Sequence, residues 1–308
     1  MKKAIITGAT GMIGIALIEY LIEKNVEVTA IIRENSNRLK YLPNNSKLNI
    51  LECNLDKLHK FKLEKNDYDV FFHLAWDGTF GESRNDENKQ KLNIEFTNDA
   101  VRLAKKCGCK VFIGAGSQAE FGRVDGIINE KTIPNPETEY GKAKLQAGIS
   151  SRILANELGV KHIWTRIFSV YGPNDGENTM IMSSIRDMIN GVSPLYTKGE
   201  QNWDYLYCKD IAKALYLLSI NGIENKIYCI ASGKMKKLYE YIEIIKKCID
   251  SNIELKLGAK HYDEKQVMNL NVDISELIND VGFVPEFEFE RGIKETIKWY
   301  KKKEIGKW

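Results

Sequence analysis

Tyr140 and Lys144 stand four residues apart in a segment with a helical pattern, so both side chains leave one face. A phenol and an ammonium placed this way suit acid–base chemistry. The ammonium favours the phenolate and draws the tyrosine pKa down toward working pH. A lysine there can also bond a ribose hydroxyl. A Tyr/Lys pair at this spacing also arises as an ordinary surface pair, so its weight comes from what precedes it. Upstream, the loop Gly116-Ser117-Gln118-Ala119-Glu120-Phe121-Gly122 leaves an apolar strand and supplies a hydroxyl. Further upstream lies Thr7-Gly8-Ala9-Thr10-Gly11-Met12-Ile13-Gly14.

The glycines of that last stretch fall between the apolar run Ala4-Ile5-Ile6 and a helical recurrence of Ile15, Leu17, Ile18, Leu21 and Ile22. At such a strand-to-helix turn one glycine makes the tight turn and another admits a pyrophosphate close to the backbone. The last lets helix and strand pack closely. The free N–H groups of the new helix favour an anion. Gly8, Thr10, Gly11, Met12, Ile13 and Gly14 are therefore candidate cofactor contacts. The spacing Gly8-x-x-Gly11-x-x-Gly14 differs from the two-residue opening of the dehydrogenase fingerprint.

The strand Val26 to Arg33 ends where an acidic residue would bind the adenosine ribose. Here Arg33 stands at that place, followed by Glu34, Asn35, Ser36 and Arg38. Arg33 and Arg38 suit the 2′-phosphate of NADP(H), the favoured cofactor; Glu34 keeps NAD(H) as the alternative. Asn54 and Leu55 end a third strand, Leu48 to Cys53. Leu74 and Ala75 end a fourth, Asp69 to Leu74, and Trp76 continues from it. Ligands sit at such strand ends. His73 lies in an apolar run and reads as a packed, hydrogen-bonded histidine.

A helix over Asp86 to Cys107 presents Leu92, Phe96, Ala100, Leu103, Ala104 and Cys107 on one face. Lys110 to Gly114 is a fifth strand. Thr138 caps a helix that carries Tyr140 and Lys144 and runs to about Leu158. Val160 to Ile167 is a sixth strand. This alternation predicts an α/β chain with a doubly wound parallel sheet. Periodicity loosens after Pro173, where helices near Thr179–Ile189, Ile211–Leu218, Leu238–Ile249, Ile274–Val281 and Arg291–Tyr300 alternate with short strands. We place a cofactor-binding domain at about 1–171 and a smaller substrate-side α/β lobe at 172–308, with room for the chain to cross back between them.

Composition removes several classes. A net charge of +3 over 308 residues, with scattered lysines, is no nucleic-acid footprint. No apolar run reaches a membrane span. The six cysteines match no zinc spacing, so no metal site is expected. Their reduced reading, and a first strand that leaves no room for a signal peptide, point to a cytoplasmic protein. Lys301-Lys302-Lys303 reads as a solvated helix end.

The chain resembles the extended short-chain dehydrogenase/reductases that act on nucleotide sugars. The resemblance rests on Thr7–Gly14, His73-Leu-Ala75, Asn93 with Thr97, Ser117, Tyr140-x-x-x-Lys144, Arg166, Tyr171-Gly-Pro173 and Tyr207-x-x-Asp210, in order, over nearly the whole length. It implies a Rossmann-type fold with a C-terminal nucleotide-sugar lobe. It also implies that Ser117 and Tyr140 flank the reacting oxygen, that Lys144 tunes Tyr140 and holds the ribose, and that Asn93 supports a proton-relay water. Trp76, Gln118, Ser169 and Trp203 fall on the sugar side. The partners implied are a nucleotide-sugar substrate and a second copy of the chain, through the helices around Phe96 and Lys144.

In family members that dehydrate sugars, Asp and Glu follow the hydroxyl residue. Here those places hold Gln118 and Ala119, neither of which exchanges a proton usefully. A 4-ketoreductase or a 4-epimerase remains. A reductase consumes NADPH, whereas an epimerase keeps NAD bound. Arg33 favours NADPH, and the Gly116–Gly122 loop resembles that of deoxysugar-forming reductases, a resemblance that implies reduction of a 4-keto-6-deoxyhexose in deoxysugar and polysaccharide synthesis. A non-catalytic nucleotide-binding protein is a further alternative, against which Ser117, Tyr140 and Lys144 argue. Three departures from the family stand out: Ser169 in place of asparagine, Trp203-Asp204 in place of Arg-Asp, and Phe121 in place of tyrosine. The missing arginine removes a diphosphate contact, and Arg186, Lys198 and Lys209 are the candidate substitutes. Trp203 either stacks on a base or packs.

Overall fold

Seven parallel strands organise the chain. The computed structural model describes residues 1–63, 66–249 and 252–305. In chain order come β1 (Lys3–Thr7), α1 (Met12–Glu23), β2 (Glu27–Ile32), β3 (Leu48–Glu52), β4 (Val70–His73), α2 (Glu87–Lys106), β5 (Val111–Ser117), β6 (Ile127–Ile128), α3 (Glu139–Leu158) and β7 (Lys161–Ile167). Then follow β8 (Ser169–Tyr171), α4 (Met180–Ile189), β9 (Asn202–Trp203), β10 (Tyr205–Tyr207), α5 (Cys208–Asn221), β11 (Ile227–Ile230), β12 (Lys236–Lys237), α6 (Leu238–Ile249), β13 (Asn271–Val272), α7 (Ser275–Val281) and α8 (Phe289–Glu304).

The main sheet runs β3-β2-β1-β4-β5-β7-β11. Its inner strands are buried on both faces, as parallel strands under helices must be, while the edge strand β3 stays largely open to solvent. Side chains alternate between the two faces. Ile6 and Ile113 meet Leu17 of α1 and Ile211 and Leu215 of α5. Ile5 and Phe112 join the opposite core with Val101 and Ala104 of α2 and Ala155 of α3. The winding reverses between β1 and β4, and a crevice opens beyond their C-terminal ends. The doubly wound Rossmann-type sheet expected from the alternation is thus present.

Helix limits follow local chemistry. Asp86 caps α2 by accepting from Lys89 N. Thr138 caps α3 through Gly141 N, as its sequence position predicts. Gly159 ends α3 in the left-handed region. After residue 171 the chain returns to the sheet: α5 packs beside α1, and β11 pairs with β7 from Ile227 against Trp164. Of the remaining elements, α7 stays against α5 and β11, while β8, β10, α4, α6 and α8 pack together as a wall on the far side of the crevice. Tyr171, Tyr205, Tyr241 and Phe289 interlock there, with ring centroids 4.5 to 6.0 Å apart.

Candidate active site

The turn after β1 is shaped as a pyrophosphate cradle. Gly8 has φ +71°, and a methyl group there would lie 2.6 Å from Ala75 N. At Gly14 a methyl would run into the Gly8 carbonyl and the Ala9 backbone. Gly11 begins α1 with no side-chain cap, and the first turn holds no acidic residue. The first helical N–H groups are therefore offered to an anion. A dinucleotide fits these residues.

This turn forms one side of a cleft of about 670 Å³. Gly8, Gly11, Met12, Ile13, Gly14, Leu74, Trp76, Ser117, Tyr140 and Lys144 line it, facing Ser169, Asp175, Trp203 and Tyr205. Thr10 and Ala75 touch the same turn without lining the cleft. The Thr10 carbonyl accepts from Arg38 Nε at 2.8 Å.

Ser117 ends β5 and caps the short turn Gln118–Glu120. Its Oγ accepts from Ala119 N at 3.2 Å, which leaves its own O–H to donate. Glu120 Oε1 accepts from Ser117 N at 2.9 Å and from Trp164 Nε1 at 3.0 Å, while Oε2 meets Arg166 Nε at 2.8 Å. Ser117 thus stands on a buried ion pair.

Tyr140 and Lys144 share one face of α3, and both are buried. Lys144 Nζ donates to the Ala115 carbonyl at 2.6 Å and lies 3.7 Å from the centroid of the Trp76 ring. Burial draws its pKa down to about 7, against a smaller opposing pull from Glu120. The expectation that Lys144 pulls the Tyr140 pKa down is not met. Burial dominates and pushes the phenol up, opposed by the Ser117 hydroxyl and then by the Arg84 guanidinium. The physical reason is that Lys144 faces Ala115 and Trp76, with Nζ 5.8 Å from the Tyr140 ring centroid.

Other candidates fall elsewhere. Asn93 is buried, and its amide clasps a loop: Oδ1 accepts from Asp77 N at 2.8 Å, and Nδ2 donates to the Asp77 and Lys89 carbonyls at 3.0 Å. It positions the segment after Trp76 and does not line the cleft. The capped turn likewise carries Gln118 off the lining, with its Oε1 buried and, among the described residues, unpaired. Arg33 is exposed at the end of β2. Arg38 lines the cleft, and its NH2 donates to the Asn174 carbonyl at 2.7 Å. Asn54 Oδ1 accepts from Glu34 N at 3.1 Å, so it braces the β2 end, and neither it nor Leu55 lines the cleft.

Trp203 Nε1 donates to Ser169 Oγ at 3.0 Å, so the two departures from the family pattern answer each other across the far wall. Among the described residues, no cation lines the cleft from that wall. Arg186 lines a neighbouring cavity of about 510 Å³ with Tyr196, Gln201 and Lys260, and Met180 borders both this cavity and the cleft. Lys209 pairs with Glu295 at 3.2 Å, away from the cleft, and Lys198 does not line it either. His73 is the packed histidine expected, with Nδ1 2.8 Å from Thr7 Oγ1 and burial drawing its pKa down to about 3.

Sequence reading missed Arg84, Gln90 and Asp175. Glu120 was quoted in the loop without a role, although Ser117-x-x-Glu120 has the spacing of a capping box. Among the described residues no His, Cys, Asp and Glu group could hold a metal ion, and no helix is long and apolar enough to cross a membrane.

The model of the NAD dependent epimerase/dehydratase family matches residues 4–231. A protein of Methanocaldococcus jannaschii named putative UDP-glucose 4-epimerase is 26% identical, covering 96% of this chain and 98% of that one. The dTDP-4-dehydro-6-deoxyglucose reductase of Escherichia coli is 27% identical, with 96% of each chain covered. Among solved structures, UDP-N-acetylglucosamine 4-epimerase from Methanobrevibacter ruminantium M1 in complex with UDP-N-acetylmuramic acid is 28% identical. It aligns with a TM-score of 0.89 over 98% of this chain and 99% of that one. Epimerase and reductase names thus occur at the same distance. The matched segment contains both the glycine turn and the Tyr140 helix, and the chain belongs to the NAD dependent epimerase/dehydratase family of extended short-chain dehydrogenase/reductases.

Proposed function

We propose that the chain is an NADPH-dependent reductase of the C4 ketone of a nucleotide-linked 4-keto-6-deoxyhexose. The observation that carries this reading is Arg33, exposed at the end of β2 where a 2′-phosphate would sit, beside a Ser117 loop whose acid-free edge removes dehydration. Gln118 and Ala119 carry no titratable acid or base, and Glu120, the carboxylate of the same turn, is sealed under Ser117 by Arg166 and Trp164. One hydroxyl and one phenol then serve a single carbonyl. The likeness to the Escherichia coli reductase supports the same reading.

The Gly8–Gly14 turn would hold the pyrophosphate, Lys144 the adjacent ribose, and Arg33 with Arg38 the 2′-phosphate. When bound, NADPH supplies the hydride. Ser117 donates a hydrogen bond to the C4 oxygen and so polarises the carbonyl. Tyr140 passes its proton to that oxygen and is left as a phenolate. Trp203 and Ser169 shape the sugar end, and the cavity beyond Met180 offers room and the cations Arg186 and Lys260 for the nucleotide. Leu92 on α2 and Ile153 on α3 are exposed on the helices we read as the dimer contact.

The second reading is a nucleotide-sugar 4-epimerase with bound NAD. It is favoured by Arg38, whose guanidinium already bonds the Thr10 and Asn174 carbonyls, and by the Methanobrevibacter relative. Mixing the protein with NADPH and a nucleotide 4-keto-6-deoxyhexose, while following nicotinamide absorbance, separates the two. Stoichiometric NADPH loss is the expected result. No loss, with NAD(H) released on denaturation, transfers the assignment to the epimerase. No loss and no bound cofactor sinks the substrate class.

A further inference from the structure

We propose that Arg84 is the fixed cation of the proton-transfer site, a positioning residue that holds Tyr140 and stabilises the phenolate formed when Tyr140 gives up its proton. This rests on the reading of Tyr140 as the proton donor. In that step the Tyr140 O–H bond breaks and an O–H bond forms at the C4 oxygen. The electron pair stays on the phenolic oxygen, and solvent later returns a proton.

The guanidinium carbon of Arg84 lies 4.3 Å from the Tyr140 ring centroid, nearer than Lys144 Nζ at 5.8 Å. The placement is built rather than incidental. Arg84 lies on the short turn Glu82–Asn85, behind Gly78 and Gly81, which have φ of +75° and +61°. Gln90 of α2, buried to 1%, staples this loop. Its Nε2 donates to the Gly78 carbonyl at 2.7 Å and the Ser83 carbonyl at 2.8 Å, and its Oε1 accepts from Trp76 Nε1 at 2.8 Å. One buried amide therefore sets both Trp76, edge-on to Tyr140 at 5.9 Å, and Arg84 over the same ring. Arg84 NH1 donates to the Thr79 carbonyl at 3.1 Å, which fixes the guanidinium further.

The charges around Tyr140 leave this task to Arg84. On its own helix Lys144 Nζ is turned to the Ala115 carbonyl at 2.6 Å and stands 5.8 Å from the ring centroid, and Glu139 pairs with Lys142. From the turn after β5, Glu120 opposes the phenolate but is neutralised by Arg166. On the neighbouring loop Asp77 stands 4.0 Å from Lys89. Across the cleft Asp175 accepts from Gly176 N and the Thr179 hydroxyl. An arginine keeps its charge at every working pH.

The test places 3-fluorotyrosine at position 140 and follows its ionisation by fluorine NMR in the full chain, with no substrate needed. Arg84→Gln is expected to raise the apparent pKa at position 140 by about one unit, the low end for an opposite charge within ~4–6 Å. Arg84→Met, which keeps the stem over the ring, should do the same and serves if the glutamine variant does not fold. Arg84→Lys should lie between parent and neutral variants. Neutral variants that titrate with the parent overturn the proposal, even if they are less stable or less active. Because the titration requires no turnover, its failure is distinct from failure of the NADPH assay.

Discussion

Arg166 Nε and Glu120 Oε2 meet at 2.8 Å with both side chains closed to solvent, directly under the loop that carries Ser117. A buried pair like this stabilises little against an apolar replacement, but losing one partner strands the other. Glu120 also receives the Ser117 N–H and the Trp164 indole N–H, so its removal leaves three donors without an acceptor. Glu120→Leu is expected to cost about 3–5 kcal/mol. Glu120→Leu with Arg166→Met should be less destabilised than Glu120→Leu alone. Denaturant unfolding measures both, and additive losses would refute the coupling.

Much of this was readable in advance because it rests on local rules. The strand–turn–helix at Gly14 needs only periodicity and glycine sterics, and Thr138 announces its helix. Tyr140 and Lys144 share a face by helical spacing, and the glycine turn and the Ser117 loop upstream give the pair its weight. What escaped depends on partners distant in sequence. Asn93 looked like a relay residue, yet its amide belongs to the Asp77 backbone sixteen positions away. Arg84 carries no motif, and its meaning comes from the Gln90 staple and the Tyr140 ring. The direction of the Tyr140 shift also failed, because spacing reports proximity but not desolvation.

Tyr140→Phe should abolish measurable turnover, a loss of at least about 10²-fold, because the phenol is the proposed proton donor. Cofactor affinity should stay within about twofold, since the glycine cradle and Lys144 remain. Equilibrium binding of NADPH beside steady-state rates checks both halves. Turnover near the parent's rate would remove Tyr140 from the mechanism.

Arg33 lies exposed at the end of β2, where a 2′-phosphate would meet it in the NADP reading. Arg33→Ser should weaken NADPH about tenfold, near 1.4 kcal/mol, while leaving NADH little changed. The ratio of the two KM values is the readout. An unchanged ratio would direct attention to Arg38, or to NAD as the cofactor.

The acid limb of stability should come partly from buried neutral imidazoles. Burial draws His162 and His73 down to about 3. Unfolded, each binds a proton below about 6.5. The unfolded chain therefore holds more protons between those values. The stability from keeping these rings neutral is intact above about pH 6.5 and is lost as pH falls toward 3. His162 stacks between Phe112, at 5.7 Å and 17°, and Trp164, at 6.1 Å and 8°. Its Nδ1 has no hydrogen-bond partner among the described residues. A phenyl ring fits that stack, at the cost of the Ser151 contact to Nε2 at 2.9 Å. His162→Phe should therefore flatten the fall in stability below pH 6.5 by about one proton, or ~1.4 kcal/mol per pH unit. Urea unfolding of both proteins across that range measures the slope, and parallel curves would mean that His162 does not drive the acid loss.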